Sequence, residues 1–306
     1  DARKALIELN VTSPLSVQVR DAVAARYAGF SVKRVISIAQ GAQASAGQQA
    51  LRIEDFSKAL RKLQGSMGSV LRNVPGLSEL TFNKSLAAEI DELVAELVVV
   101  DKLLMHGSKP FKGCLFVGPP GTGKTALAKA ISKDAGWAFR AVAGPDILAN
   151  FDKLEEVYRE ALDLRPCVIF IDEATELLKE RTTSRFSEHI NKFLTVIDGF
   201  GEPVPDVVFM AATNDGDGVD EAIARRLYRR IVFELPDLSS RIKLIGSWAD
   251  RHVPAREAVT RRIDSLAQEM TGMSAANIMN RLDTAYKKAV VSGIKNNAEP
   301  DFRNFI

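Results

Sequence analysis

Short, continuously apolar runs alternate with longer stretches of helical spacing from residue 109 onward. The apolar runs are Cys114 to Val117, Trp137 to Val142, Val168 to Ile171 and Val207 to Ala212. Runs that are apolar at every position, rather than at every second one, predict parallel strands covered on both faces. The stretches between them predict helical crossovers, so residues 77–236 read as one α/β domain. Beyond Pro236 the strand-like runs stop. Ser239 to His252, Ala258 to Met270 and Ser274 to Gly293 carry apolar residues at helical spacing, which predicts a small helical domain over 237–306.

The N-terminal part has a different character. Residues 1–63 are Ala-rich with helical patterning, and Gly65, Gly68, Pro75 and Gly76 punctuate a linker over 64–76. An internal echo links the two helical regions. Gly29-Phe30-Ser31 with Val35 beyond it matches Gly272-Met273-Ser274 with Ile278 beyond it, and Asp-Phe follows each at Asp55-Phe56 and Asp301-Phe302. Two copies of one helical domain would produce this, as would two helical hairpins that resemble each other only locally.

Composition narrows the class. Lys plus Arg number 41 against 39 Asp plus Glu in 306 residues, a balance that exerts no global pull toward nucleic acid or acidic membranes. Any polyanion site must be local. Cys114 and Cys167 lie within apolar runs, which predicts buried thiols rather than a disulfide or metal ligands and suits a reducing compartment. No apolar run approaches the ~20 residues of a membrane span, and no signal-peptide pattern opens the chain, so a cytoplasmic location is expected. The start at Asp1 without Met suits a trimmed or excised piece.

The local polyanion site is explicit. Residues 118–125 read Gly-Pro-Pro-Gly-Thr-Gly-Lys-Thr, directly after the strand-like Gly113 to Val117. In such a P-loop, Pro119, Pro120, Gly121, Thr122, Gly123 and Ala126 belong to the backbone cradle. Lys124 reaches terminal phosphates and the Thr125 hydroxyl ligates Mg²⁺. The Ala-rich stretch from Thr125 to Ala135 predicts a helix whose positive end faces the phosphates.

Two further strand ends carry polar chemistry. Val168 to Ile171 runs into Asp172 and Glu173, suited to holding Mg²⁺ and to activating an attacking water, although an acidic pair can also cap a helix. Val207 to Ala212 runs into Thr213-Asn214, and Asn214 can position the water or cap the next turn. Arg225, Arg226, Arg229 and Arg230 crowd the segment before Ile231 to Leu235. A guanidinium there can stabilise phosphoryl charge across a subunit boundary, or pair with acids on its own helix.

In this order the motifs resemble the AAA branch of the AAA+ ATPases over residues 77–306. Pro110-Phe111-Lys112-Gly113, the P-loop, Asp172-Glu173, Ile197-Asp198-Gly199-Phe200, Ala212-Thr213-Asn214 and the Arg-rich segment follow that family's succession of elements. The resemblance implies a P-loop parallel-sheet ATPase domain followed by a helical lid. It implies ATP and Mg²⁺, and a homo-oligomeric, hexameric ring in which Arg225 and Arg226 are arginine fingers, Arg226 being the closer match. It also places Gly272 and Ala275 at the nucleotide from the lid, and Leu80-Thr81-Phe82 beside the adenine. The central-pore aromatic falls on Phe151, although Asn150 to Leu154 is shorter than the family's loop and lacks its glycine, so packing in its own core is the alternative.

Residues 1–63 then resemble the lid of a preceding module, as in tandem AAA proteins such as the N-ethylmaleimide-sensitive factor and the valosin-containing unfoldases. The expected function is a Mg·ATP-hydrolysing motor that remodels protein substrates, with adaptor proteins as partners and no nucleic acid. A nucleic-acid motor or loader and a slowly turning ATP-dependent scaffold are the alternatives.

Overall fold

A computed structural model describes residues 2–66, 71, 74–108, 110–179, 184–200 and 204–302. Lys109 and Gly68 of the sequence reading lie outside them. Strands β1 (Gly113–Val117), β2 (Ala138–Ala143), β3 (Cys167–Asp172), β4 (Val207–Thr213) and β5 (Arg229–Val232) form one parallel sheet in the order β2-β3-β4-β1-β5. Successive strand residues point to opposite faces. Cys114 and Phe116 pack on one side and Leu115 and Val117 on the other, and Val168 and Phe170 are likewise separated from Ile169 and Ile171. Both faces are covered, which is why the strands are apolar at every position.

The N-terminal segment folds as α1 (Ala2–Leu9), α2 (Val17–Arg26), α3 (Val32–Ala46) and α4 (Ile53–Ser66) around its own core. Helices α5 (Lys84–Val98) and α6 (Val100–Met105) precede β1, and α7 (Lys124–Ala135) joins β1 to β2. These three cover one face of the sheet. The other face is covered by α8 (Gly144–Ala149), α9 (Asp152–Leu164), α10 (Thr175–Leu178), α11 (Ser184–Ile197) and α12 (Glu221–Ala224). The C-terminal region comprises α13 (Leu238–Arg251), α14 (Arg256–Arg261), α15 (Ile263–Glu269) and α16 (Ala275–Lys295) around a fourth cluster.

Two boundaries differ from the sequence expectation. The apolar pattern predicts the last strand over Ile231 to Leu235, whereas it lies at Arg229–Val232, because β1, its one strand partner among the described residues, ends at Val117, opposite Val232. Tertiary pairing, not local apolarity, sets its length. The helix predicted over Ala258 to Met270 breaks at Arg262, whose φ of −120° and ψ of 12° leave the helical region while its N–H closes on Val259 O at 3.0 Å.

The two helical regions repeat one entry turn. Gly29 and Gly272 have φ of 80° and 78°, and Ser31 and Ser274 cap α3 and α16 by accepting the N–H of Arg34 and of Asn277. Val35 and Ile278 are buried below them. The following Asp-Phe pairs sit differently, Asp55-Phe56 inside α4 and Asp301-Phe302 after α16, yet each Phe enters its own bundle's core.

The N-terminal bundle docks at the amino ends of β3 and β4. Arg26 pairs with Asp101 of α6 and lies 3.5 Å from Asp206, which also has Arg165 at 3.6 Å. Arg165 donates to Ala28 O at 2.5 Å, Arg34 donates to the carbonyls of Asp163 and Arg165, and Gln64 donates to those of Leu164 and Pro166. Both Arg34 and Arg165 lie over the Phe30 ring, at 3.8 and 4.3 Å from its centroid. Asp206 is 0 % exposed and neither of its oxygens accepts a hydrogen bond, so the two guanidiniums offset its charge without replacing the water it has lost.

Cys114 and Cys167 are buried and free, and burial pushes the Cys167 thiol up to about 12. Among the described residues no helix is long and apolar enough to cross a membrane.

Candidate functional site

Strand β1 delivers the chain to the carboxyl edge of the sheet, where residues 118–123 turn and α7 begins at Lys124. The turn needs left-handed backbone, at φ of 75° for Gly121 and 101° for Gly123. A Cβ on Gly121 would stand 2.7 Å from Ser274 Oγ, so only glycine admits the C-terminal helices here. The Ala276 N–H donates to Gly121 O at 3.0 Å and ties α16 to the loop. Gly123, the N-cap of α7, has no side chain to occupy the helix's first N–H groups, which leaves them available to an anion.

Lys124 is 8 % exposed. Its ammonium donates to Gly118 O at 2.5 Å, Pro119 O at 2.9 Å and Asn214 Oδ1 at 3.0 Å, which accounts for all its donors. Burial pushes its pKa below the ordinary lysine value, while the Asp172 charge opposes that shift. The Thr125 hydroxyl donates to Asp172 Oδ2 at 2.7 Å, bringing together two hard oxygen donors of the kind Mg²⁺ selects. Glu173 sits at φ 51°, a left-handed conformation costly for a non-glycine residue and concentrated at functional sites. The Asp172 carboxylate accepts the Glu173 N–H at 2.9 Å and so supports that turn.

These groups line one cavity of about 570 Å³. Of the residues expected from sequence, Pro120, Gly121, Thr122, Gly123, Lys124, Thr125, Ala126, Asp172, Glu173, Asn214 and Ala275 line it, and so do Leu80, Thr81 and Phe82. Pro119 does not line it but holds Lys124 through its carbonyl. Gly272 shapes the turn into α16 and stays out of the cavity wall. Leu244, Ser247 and Arg251 line the cavity without any sign of it in the sequence. They share one face of α13 at helical spacing, but that spacing does not say which cavity the face covers.

Two further expected residues are engaged within the chain. Phe151 is 8 % exposed and belongs to the cluster containing Leu154 and Tyr158, so its ring is packed in the domain rather than presented to a pore. Arg226 is engaged within its own chain. Its Nη2 donates to Asp198 Oδ2 at 2.8 Å and its Nε reaches both carboxylate oxygens, which holds the Asp198 carboxyl below the usual range. Arg225 extends outward with its side chain 69 % exposed, paired with Glu221 one turn earlier at 2.5 Å. Such exposed pairs are weak, so Arg225 is the arginine more easily recruited elsewhere. Arg229 is anchored to Glu92 and Glu96 at 3.1 and 2.5 Å.

A P-loop, an acidic strand end and a polar amide converging on the carboxyl edge of a parallel sheet define a phosphate-handling site of the P-loop ATPase class. Residues 114–235 match the family model for the ATPase family associated with various cellular activities (AAA). This part of the chain is an AAA ATPase domain, and it is an ATP-hydrolysing enzyme domain.

Relatives include the ATP-dependent zinc metalloprotease FtsH of Parabacteroides distasonis, 34% identical over 249 residues, covering 77% of this chain and 35% of the relative. The protein of the same name from Trieres chinensis is 33% identical over 244 residues, covering 74% of this chain and 36% of the relative. The ATP-dependent zinc metalloprotease FtsH 4 of a Synechocystis species is 31% identical over 232 residues, covering 71% and 36%. The chain thus spans about a third of the length of these relatives. They are FtsH proteins, so the AAA family expected from sequence is met, while these relatives are not of the tandem kind expected from it.

Proposed function

We propose that this chain is part of a Mg·ATP-driven motor that remodels or unfolds protein substrates from a ring, with each active site completed by a neighbouring subunit. The supporting observation is the meeting of Lys124 with Asn214 and of Thr125 with Asp172 in one cavity, while Arg225 stands exposed outside it. Lys124 binds terminal phosphate, Thr125 and Asp172 hold Mg²⁺, Glu173 takes the proton of the attacking water and Asn214 orients that water. Mg²⁺ neutralises charge on the phosphates when bound. Arg225 from the next subunit stabilises the transferring phosphoryl group, and a hexamer is the expected assembly.

The relatives' name couples ATP to proteolysis, which favours polypeptide over nucleic acid as the substrate. The zinc chemistry in that name is not carried over, since among the described residues no cluster of three or more His, Cys, Asp or Glu could hold a metal ion. The repeated Gly-x-Ser entry turn supports reading residues 2–66 as the lid of a preceding ATPase module, which would make the full protein a tandem one. The buried thiols at Cys114 and Cys167 suit a reducing, cytoplasmic setting.

The test is ATP turnover by the assembled protein. Arg225→Ala is expected to lose roughly 10³-fold or more in kcat with nucleotide still bound, as for other trans-acting arginines. Arg226→Ala is expected to lose less. Parental turnover by Arg225→Ala would remove the shared-site reading. Glu173→Gln should bind ATP without hydrolysing it, and Lys124→Ala should lose tight binding.

A further inference from the structure

Asn214 can orient a water only if its backbone is held still, and its side chain is steadied at the cavity by Lys124. A second restraint comes from behind the site. Ala174 N–H donates to Ala212 O at 2.8 Å, carrying the β3–β4 pairing past Asp172 and setting Thr175 beside Thr213. The Thr175 hydroxyl lies 3.0 Å from Thr213 Oγ1 and accepts the Asn214 N–H at 3.2 Å. Thr213, 1 % exposed, in turn lies 2.7 Å from Asp215 O and 3.1 Å from Asp215 N.

A hydroxyl has one proton to give and two lone pairs to offer. Asp215 O can only accept, so the Thr213 proton goes there, and Thr213 then accepts from Asp215 N–H and from Thr175. The Thr175 proton is therefore committed to Thr213, and its lone pair is left for Asn214 N–H. One proton arrangement satisfies every group. Thr175 opens α10 but does not cap it, so its hydroxyl serves the neighbouring strand end rather than its own helix.

We propose that Thr175 is a positioning residue for hydrolysis: its hydroxyl clamps the Thr213-Asn214 backbone so that the Asn214 amide stays aligned with the attacking water. This rests on the reading of Asn214 given above. Thr175 is absent from the cavity lining, so it acts through Asn214 and not on the nucleotide.

Steady-state turnover and nucleotide titration of the full chain test this with Thr175→Val, which keeps shape and removes the hydroxyl, and with Thr175→Ser, which restores it. Thr175→Val is expected to lower kcat about tenfold while nucleotide affinity changes less than about threefold, because misplacement of a reacting group acts on the chemical step. Thr175→Ser should recover most of the rate. Adding Thr175→Val to Asn214→Ala should bring little further loss, since both act on one group. An unchanged kcat in Thr175→Val, a loss that Ser does not rescue, or fully additive losses would each overturn the proposal. If Asn214→Ala itself turns over at the parental rate, the role given to Asn214 fails first.

Discussion

The helical bundles at the two ends of the chain share an entry turn and differ in what they are built to touch. The C-terminal bundle leans on the P-loop through Ser274 and Ala276, with one backbone hydrogen bond and small, neutral side chains, and Ala275 lines the shared cavity. The N-terminal bundle grips the opposite end of the sheet through Arg26, Arg34, Gln64 and the buried pairing of Arg26 and Arg165 with Asp206. Light contacts suit the lid proposed for the C-terminal bundle. A buried ion cluster penalises every partly separated state, because each charge would be left without its partner. The same entry turn therefore leads to light contacts with the P-loop at one end and to a charged dock at the other.

The largest expected effect breaks the dock. Asp206→Ala would leave Arg165 without its carboxylate in a dry interface, with Arg26 keeping only Asp101, and cost about 3–5 kcal/mol, read as an early unfolding transition of residues 2–66. A denaturation curve matching the parent would mean that the cluster does not hold the bundle. Next come the two core aromatics. Phe56→Ala and Phe302→Ala should each cost roughly 3–5 kcal/mol at most, with Phe56 the costlier because it is fully buried. Only Phe302→Ala should also weaken nucleotide binding, and equal affinities in both variants would erase the distinction between lid and dock.

The paired caps sharpen the comparison further. Ser31→Ala and Ser274→Ala each remove one cap, worth about 1 kcal/mol. Calorimetry should show similar destabilisation, while titration with ATP should show weakening for Ser274→Ala alone.

The smallest effect is a pH dependence. Asp237 caps α13, and the Ser240 N–H that it accepts at 2.7 Å holds its carboxyl below the usual value. A lowered folded pKa means that this stabilisation is complete above the ordinary carboxylate range and is lost as pH falls through the folded value. Ser16 and Ser31, which cap α2 and α3, do not titrate. Acid should therefore loosen the C-terminal cap and spare those two, and Asp237→Ser should remove the difference in an acid titration followed by hydrogen exchange.

Much of the ATPase domain is legible in the amino-acid sequence. Strands β1 to β4 fall within one residue of the apolar runs at each end, because strands covered on both faces write themselves as unbroken apolar stretches. The P-loop, Asp172, Glu173 and Asn214 are legible because each motif directly follows such a strand. Phe151 stays open in the sequence because an aromatic beside an acidic helix start fits a core as well as a surface. The pairing of Arg226 is not legible, because its partner Asp198 lies 28 positions away, just past the end of another helix. Thr175 and Arg251 carry no local signal at all, since one serves a neighbouring strand and the other a cavity closed by a separate domain.

By itself, the sequence determined what depends on neighbours along the chain: the apolar period of each element, the glycines that permit left-handed turns, the serine caps, and the chemistry at each strand end. The tertiary structure alone decided which of these meet. It chose Arg225 over Arg226 as the exposed arginine, buried Phe151, brought Thr175 under Asn214, and set one helical bundle against the P-loop and its counterpart against Asp206. Local conformation is governed by sterics and hydrogen bonds within a few residues. Partner choice is governed by burial and charge neutralisation between segments that only folding brings together.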